Sequence, residues 1–172
     1  MSSKTADELV EEVDADGTVV RVVTRAVMRA ERLRHRCTYI GVVSVDGTSL
    51  LVHQRSFDKD VFPGWWDVVA GGVCAVGEPW DVSAERELAE ELGVTGVPLV
   101  DVGGGTWTGG DASTVGRVFV ARHDGPFTFA DGEVIHARFM TWDEVSSLVR
   151  DEQVCPDSVE LALPLVRSAV GW

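Results

Sequence analysis

A chain of 172 residues, 45% hydrophobic and 25% charged, is long enough for one domain with a sizeable core. Its formal net charge of −13 argues against a nucleic-acid backbone as the main ligand, because binding phosphate polymers takes a basic surface. No apolar run reaches the roughly 18 residues of a membrane span, and Cys37, Cys74 and Cys155 are too scattered for a disulfide framework or a zinc site.

Residues 1–7 are expected to fray. The acidic N-terminus has no apolar h-region of a signal peptide, so the cytoplasm is the expected compartment. Two apolar stretches between Leu9 and Val23 flank Asp14-Ala15-Asp16-Gly17, and the DG pair reads as a hairpin turn. Residues 25–34 read as a short helix carrying part of a basic cluster, Arg25, Arg29, Arg32, Arg34 and Arg36. Such a cluster is either a solvated face paired with acidic neighbours or a rim that attracts phosphate. Residues 38–45 form a β-branched, apolar strand, Asp46-Gly47 a turn, and residues 49–55 the returning strand. A loop over 58–67 leads into a short strand at 67–69.

Residues 79–92 have the marks of a helix. Pro79 suits the first helical position, Asp81 the positive end of the dipole, and Gly93 the position beyond the last turn. Ala84, Leu88 and Leu92 form one apolar stripe. Glu87 and Glu91 share a face one turn apart, and Glu90 flanks them, so three carboxylates fall within an arc of about 100°. A run of glutamates is ordinarily a solvated face. Like charges at this spacing repel, however, and a hard divalent cation with oxygen ligands is the natural way to neutralise them.

From Gly72 the chain continues with Glu78, then Arg86-Glu87-Leu88, Glu90-Glu91 and Gly93-Val94. This resembles the Nudix box, G-x5-E-x7-R-E-U-x-E-E-x-G-U with U aliphatic, and matches it at every fixed position. The resemblance implies an α/β fold, the Nudix α/β/α sandwich with a mixed central sheet. One domain would span 1–172, with 1–36 preceding the core and the box at 72–94. It also implies hydrolysis of a diphosphate linkage in a small-molecule partner with Mg²⁺ or Mn²⁺; whether the chain forms a homodimer stays open. The metal set it implies is Glu87, Glu90 and Glu91 with the Gly72 carbonyl. Glu87 or Glu90 is the expected general base. Arg86 completes the catalytic set by bridging Glu78 and the backbone, which fixes the loop. Substrate contacts are expected from Arg55, Trp65, Trp66 and the Trp107 loop.

A second likeness covers about half the chain. His35-Arg36-Cys37, the run Leu50 to Ser56, Asp58-Lys59-Asp60 and Pro63-Gly64-Trp65-Trp66-Asp67 are similar to isopentenyl-diphosphate isomerase and its related hydrolases. In the isomerase a catalytic Cys precedes the box Gly and a metal-binding His follows it. Here those positions hold Gly71 and Val73, and Cys74 is displaced. Glycine has no group to protonate an alkene, so the hydrolase is expected over an isomerase-type enzyme. The intact box carboxylates also disfavour a catalytically silent nucleotide-sensing module.

Beyond the box, residues 97–102 read as a strand, and glycines 103–105 and 109–110 with Asp111 bracket Trp107 in a flexible, hairpin-like region. Residues 115–122 alternate as a strand, from which Arg117 either faces substrate phosphates or lies on the surface. Asp124-Gly125-Pro126 reads as a turn. Glu133-Val134-Ile135-His136-Ala137-Arg138-Phe139 resembles an E-U-x-x-A-x-aromatic strand of several Nudix hydrolases, which implies that Glu133 joins the metal site; otherwise it is an exposed glutamate at a strand entry. Thr141 to Glu144 is a capping box opening a helix. The last helix opens at Asp157 and is expected to kink or divide at Pro164.

Overall fold

A computed structural model describes residues 6–110 and 112–172. The fraying expected at residues 1–5 and the Asp111 end of the expected hairpin-like region lie outside the described residues; Ala6 and Asp7 form a turn. In chain order the elements are β1 (Leu9–Val13), β2 (Val19–Thr24), α1 (Arg25–Ala30), β3 (Arg34–Val43), β4 (Ser49–Arg55), β5 (Trp66–Asp67), β6 (Ala70–Val73), α2 (Trp80–Leu92), β7 (Val100–Gly109), β8 (Ala112–Arg122), β9 (Val134–Thr141), α3 (Trp142–Asp151), a π-helical segment (Ser158–Ala162) and α4 (Leu163–Val170).

The sheet is built on β3, which from Cys37 to Val43 is buried on both faces and largely apolar. Along one edge β3 runs parallel to β8, from Arg34↔Ser113 to Val43↔Arg122, and β7 lies antiparallel beyond β8. Along its other edge β3 meets β1 at Glu12↔His35, β6 from Cys37↔Val73 to Ile40↔Ala70, and β4 at Val43↔Leu50. β4 then pairs with β9 and β5, and β2 is outermost on β1. Parallel and antiparallel neighbours together make the sheet mixed.

Two cores follow from the period-2 alternation of the strands. Ile40, Val42, Leu51, Phe119 and Ala121 face α2, where Ala84, Leu88 and Leu92 form the stripe read from the sequence. Tyr39, Val43, Leu50, Val118 and Val120 face the other way, onto Val145 and Leu148 of α3 and Leu163 and Val166 of α4. This is the expected α/β/α sandwich.

Several boundaries differ from the sequence expectation. α1 stops at Ala30 because the chain reverses at Arg32, φ 54, and β3 already begins at Arg34. Of the strand expected at 67–69 only Asp67 is in β5; Val68 and Val69 form a bend between β5 and β6. Of the glycine-rich stretch expected to be a flexible, hairpin-like region, Gly109 and Gly110 do lie at the tip of the β7–β8 hairpin, whereas glycines 103–105 are in the body of β7. There, glycine permits close approach: a Cβ on Gly104 would lie 2.2 Å from the Gly116 carbonyl oxygen, and one on Gly105 would lie 2.9 Å from Leu161. Residues 123–129 run as irregular chain rather than a tight turn. Pro164 sits in the first turn of α4, where its missing N–H is tolerated, and the last helix divides there between π and α geometry.

Candidate active site

The box forms a loop and helix locked by one guanidinium. Arg86 donates from Nε to Glu78 Oε1 and from Nη2 to Glu78 Oε2, both at 2.9 Å, and from Nη2 to the Val73 carbonyl at 3.3 Å. Its Nη1 donates to Glu87 Oε1 at 2.7 Å and to Glu90 Oε2 at 3.2 Å. Loop start, loop end and helix are therefore tied at one point. The Arg86 hydrogen bonds hold the Glu78 carboxyl down at about 2. Pro79 is the N-cap rather than the first helical residue, and Gly93 ends α2 in the left-handed conformation at φ 68.

Glu87 is 0% exposed and Glu91 2%, so neither is the solvated glutamate of a surface helix; Glu90 is exposed. The glycines of β6 make this burial feasible. A Cβ on Gly72 would lie 2.6 Å from Glu87 Oε2, so the missing side chain is what admits the carboxylate. Gly71 adopts φ 145, its N–H donates to Glu91 Oε2 at 3.1 Å, and a Cβ there would lie 2.0 Å from the Thr38 carbonyl oxygen. Burial pushes the Glu91 carboxyl up, Lys59 opposes the shift and Glu87 adds to it, leaving it at about 7.

Glu133, just before β9, reaches the same place from the opposite wall. Lys59 donates to Glu133 Oε2, and its Nζ lies 3.6 Å from Glu91 Oε1. Among the described residues no three His, Cys, Asp or Glu groups form a ready-made metal cage; Glu91 and Glu133 converge on an ammonium instead. The residues nonetheless fit a divalent cation: the donors are oxygens, the missing side chain at Gly72 lets the Glu87 carboxylate lie against the backbone, and a positive charge already bridges two of the carboxylates.

A cavity of about 90 Å³ opens beside Gly71 and Gly72. Arg25, Arg29, Arg55 and Lys59 give it a basic rim, and Tyr39 and Asp157 also line it. Asp60 accepts from Arg29 Nε at 3.0 Å and Arg25 Nη2 at 3.4 Å. Arg55 Nη2 donates to the Val61 carbonyl at 3.0 Å, and Nη1 lies 3.5 Å from Asp67. Tyr39 donates to Asp157 Oδ2 at 3.1 Å, while burial and then Asp67 push the Asp157 carboxyl up to about 6.

The four expected substrate contacts separate. Arg55 lines the cavity. Trp65 packs on Phe62 with ring centroids 5.1 Å apart, and Trp66 packs against His136 and Arg138. Arg117 pairs with Asp101 at 2.7 Å beside a different groove, next to Glu78 and Trp80. Trp107, whose loop was also expected at the substrate, is buried and donates to Glu160 at 2.8 Å. Sequence reasoning did not single out Lys59, Asp60, Tyr39 or Asp157 as site residues. Their convergence depends on sheet register and loop path, although the charged triplet Asp58-Lys59-Asp60 was a visible signal.

This loop-and-helix site on a mixed-sheet sandwich defines a Nudix protein, and the chain belongs to that family: the NUDIX domain matches residues 34–159. It is a Nudix hydrolase by its relatives. It is 38% identical over 163 residues to the protein named "Uncharacterized Nudix hydrolase YfcD" of Salmonella typhi, covering 94% of this chain and 87% of that one. The fold is similar to the crystal structure of DR0079 from Deinococcus radiodurans, with TM-score 0.75, 24% identity, and coverage of 94% of this chain and 98% of that one. It is also similar to the NUDIX domain of Shewanella oneidensis NrtR, complexed with ADP ribose, with TM-score 0.62, 16% identity, and coverage of 86% and 97%. Nudix hydrolases generally use divalent metal ions. No helix among the described residues is long and apolar enough to cross a membrane.

The buried Glu91 carboxyl has a consequence for stability. Between its ordinary value of 4.5 and about 7, the folded metal-free protein holds a proton on Glu91 that the unfolded chain has released. Glu91 therefore makes stability fall as pH rises through that window, by roughly 2–4 kcal/mol in total. Melts of chelator-treated wild type and Glu91→Gln across this range should diverge as pH rises, with the wild type losing ground; parallel curves would count against the buried carboxyl.

Proposed function

We propose that the protein is a metal-dependent diphosphate hydrolase, in which water attacks phosphorus and a phosphomonoester leaves. The observation that carries this reading is the convergence of Glu91 and Glu133 on one positive charge beside the buried Glu87. Glu87, Glu91, Glu133 and the Gly72 carbonyl would hold Mg²⁺ or Mn²⁺, with Glu90 at the exposed edge. The bound ion would offset phosphate charge and activate a water. Arg25, Arg29 and Arg55 attract the diphosphate to the cavity rim. Arg86 keeps the box loop in place, and either Glu87 or Glu90, which share its Nη1 donor, accepts the proton of the attacking water. The likeness to isopentenyl-diphosphate isomerase supports placement among the isomerase-related hydrolases. Gly71 and Val73 remove that enzyme's own chemistry.

The NrtR domain was solved with ADP ribose, which makes ADP-ribose the first compound to try. Nucleoside, sugar and prenyl diphosphates should be incubated with the protein and Mg²⁺ or Mn²⁺ in ¹⁸O-water. The expected result is one label on the phosphoryl group that water attacks, none on the phosphomonoester that leaves, and no dimethylallyl product from isopentenyl diphosphate. Label in the organic alcohol, or no hydrolysis across the panel, would overturn the reading.

A further inference from the structure

The chain carries only two lysines, Lys4 and Lys59, and Lys59 sits between the carboxylates of the site. Its neighbour Asp60 sits between Arg29 and Arg25 on the cavity rim. Consecutive Cα atoms are ~3.8 Å apart, so one short piece of chain places a cation on the acidic cluster and an anion on the arginine pair. Those two charges have the signs, and the order, of a metal ion and a phosphate. Both residues line the cavity along with Val61 and Phe62, and the cavity they close, about 90 Å³, is well below the roughly 300–1,000 Å³ of a small-molecule site. Phe62 is in the left-handed region at φ 52, where a bulky residue is rarely found. The segment hangs from Ser56, which accepts from Lys59 N at 3.3 Å and Gly64 N at 3.2 Å and donates its own N–H to the Glu133 carbonyl at 2.8 Å.

Resting on the proposed hydrolase reading, we infer that residues 59–62 are a self-competing strap: Lys59 stands in the place of the metal ion and Asp60 in the place of a substrate phosphate. A metal-bound diphosphate displaces both and opens the cavity. The two ion pairs are linked through adjacent residues, so breaking one loosens the other, and the ion and the diphosphate enter cooperatively. The strap also balances buried charge at Glu91 while the metal is absent. Charge complementarity is reused in sequence: Arg25 and Arg29 exchange one carboxylate for phosphate oxygens, a charge-assisted partner of the same kind.

The test uses the whole protein and two probes, Mn²⁺ alone and its complex with imidodiphosphate, a diphosphate with a bridging nitrogen. Mn²⁺ is titrated by the EPR signal of the free aqueous ion. Lys59→Met, which keeps side-chain length, should bind Mn²⁺ about tenfold more tightly than wild type; Lys59→Gln serves if the first variant does not fold. Asp60→Asn should bind the Mn²⁺–imidodiphosphate complex about tenfold more tightly by calorimetry. In wild type, imidodiphosphate should tighten Mn²⁺ binding, and this coupling should shrink in the double variant. Unchanged or weaker Mn²⁺ binding in the lysine variants, or unchanged imidodiphosphate binding in Asp60→Asn, would overturn the strap. The two readings fail separately. If wild type binds Mn²⁺ no better than Glu91→Gln, the metal site itself is wrong. If Glu91 is needed but removal of Lys59 tightens nothing, only the strap is wrong.

Discussion

Glu91→Gln should lower turnover on any accepted diphosphate by about 10²–10³-fold, the usual cost of removing one electrostatic stabiliser of a developing charge. The substitution keeps shape and the acceptor for the Gly71 N–H, and it removes one negative charge from a fully buried position. Two effects of opposite sign make the result diagnostic. Without metal at pH above about 7, the variant should be the more stable protein, because a buried charge that Lys59 offsets only in part has gone. With saturating Mg²⁺ or Mn²⁺, wild type should gain stability through binding and the variant much less. Full activity in Glu91→Gln, or wild-type activity in excess chelator, would remove the metal mechanism altogether.

Glu133→Ala should also lower turnover, by about 10²-fold, with a smaller change in KM. Glu133 comes from the far wall of the cleft, forty-odd residues beyond α2, and meets Glu91 through Lys59. A carboxylate opposite the helix set holds an ion or the attacking water from the second side, a role that counts chiefly in the transition state. Were Glu133 only a partner for Lys59, its loss would free the strap, and KM would move instead of turnover. Exposed Glu152, at the end of α3, is the control acid and should change neither constant when replaced by Ala. A rise in KM at constant turnover in Glu133→Ala would refute its place in the reaction.

Local rules carried the helices well. The α2 stripe of Ala84, Leu88 and Leu92 and the Thr141–Glu144 capping box were both legible, because each is a short-range pattern with a physical cause. Glycines 103–105 misled because glycine signals a flexible turn in isolation and a close approach in context. Only the facing Gly116 and Leu161 distinguish the two. At the site, three of the carboxylates were readable from one face of one helix. Burial separated them: Glu87 and Glu91 point inward beneath glycines, while Glu90 remains exposed on Arg86. The tryptophans were expected at the substrate because of their stacking surface, but a large indole satisfies packing just as well. Trp66 and Trp107 have partners on the protein itself. Lys59 was written in the sequence as a single charge in a loop, and nothing local says which acids it meets.

The backbone at Gly71 constrains substitution as well as chemistry. In the isomerase that the sequence resembles, the position matching 71 carries a thiol, yet here a Cβ would fall 2.0 Å from the Thr38 carbonyl oxygen at φ 145. No single codon change can install a nucleophile or acid there, since every residue other than glycine brings a Cβ. The Tyr39↔Gly71 pairing of β3 and β6 would have to shift first, and that pairing also aims the Gly71 N–H at Glu91. A chain in this register is therefore separated from carbon-skeleton chemistry by a backbone rearrangement, and directed evolution toward it should begin in β3 rather than at the box.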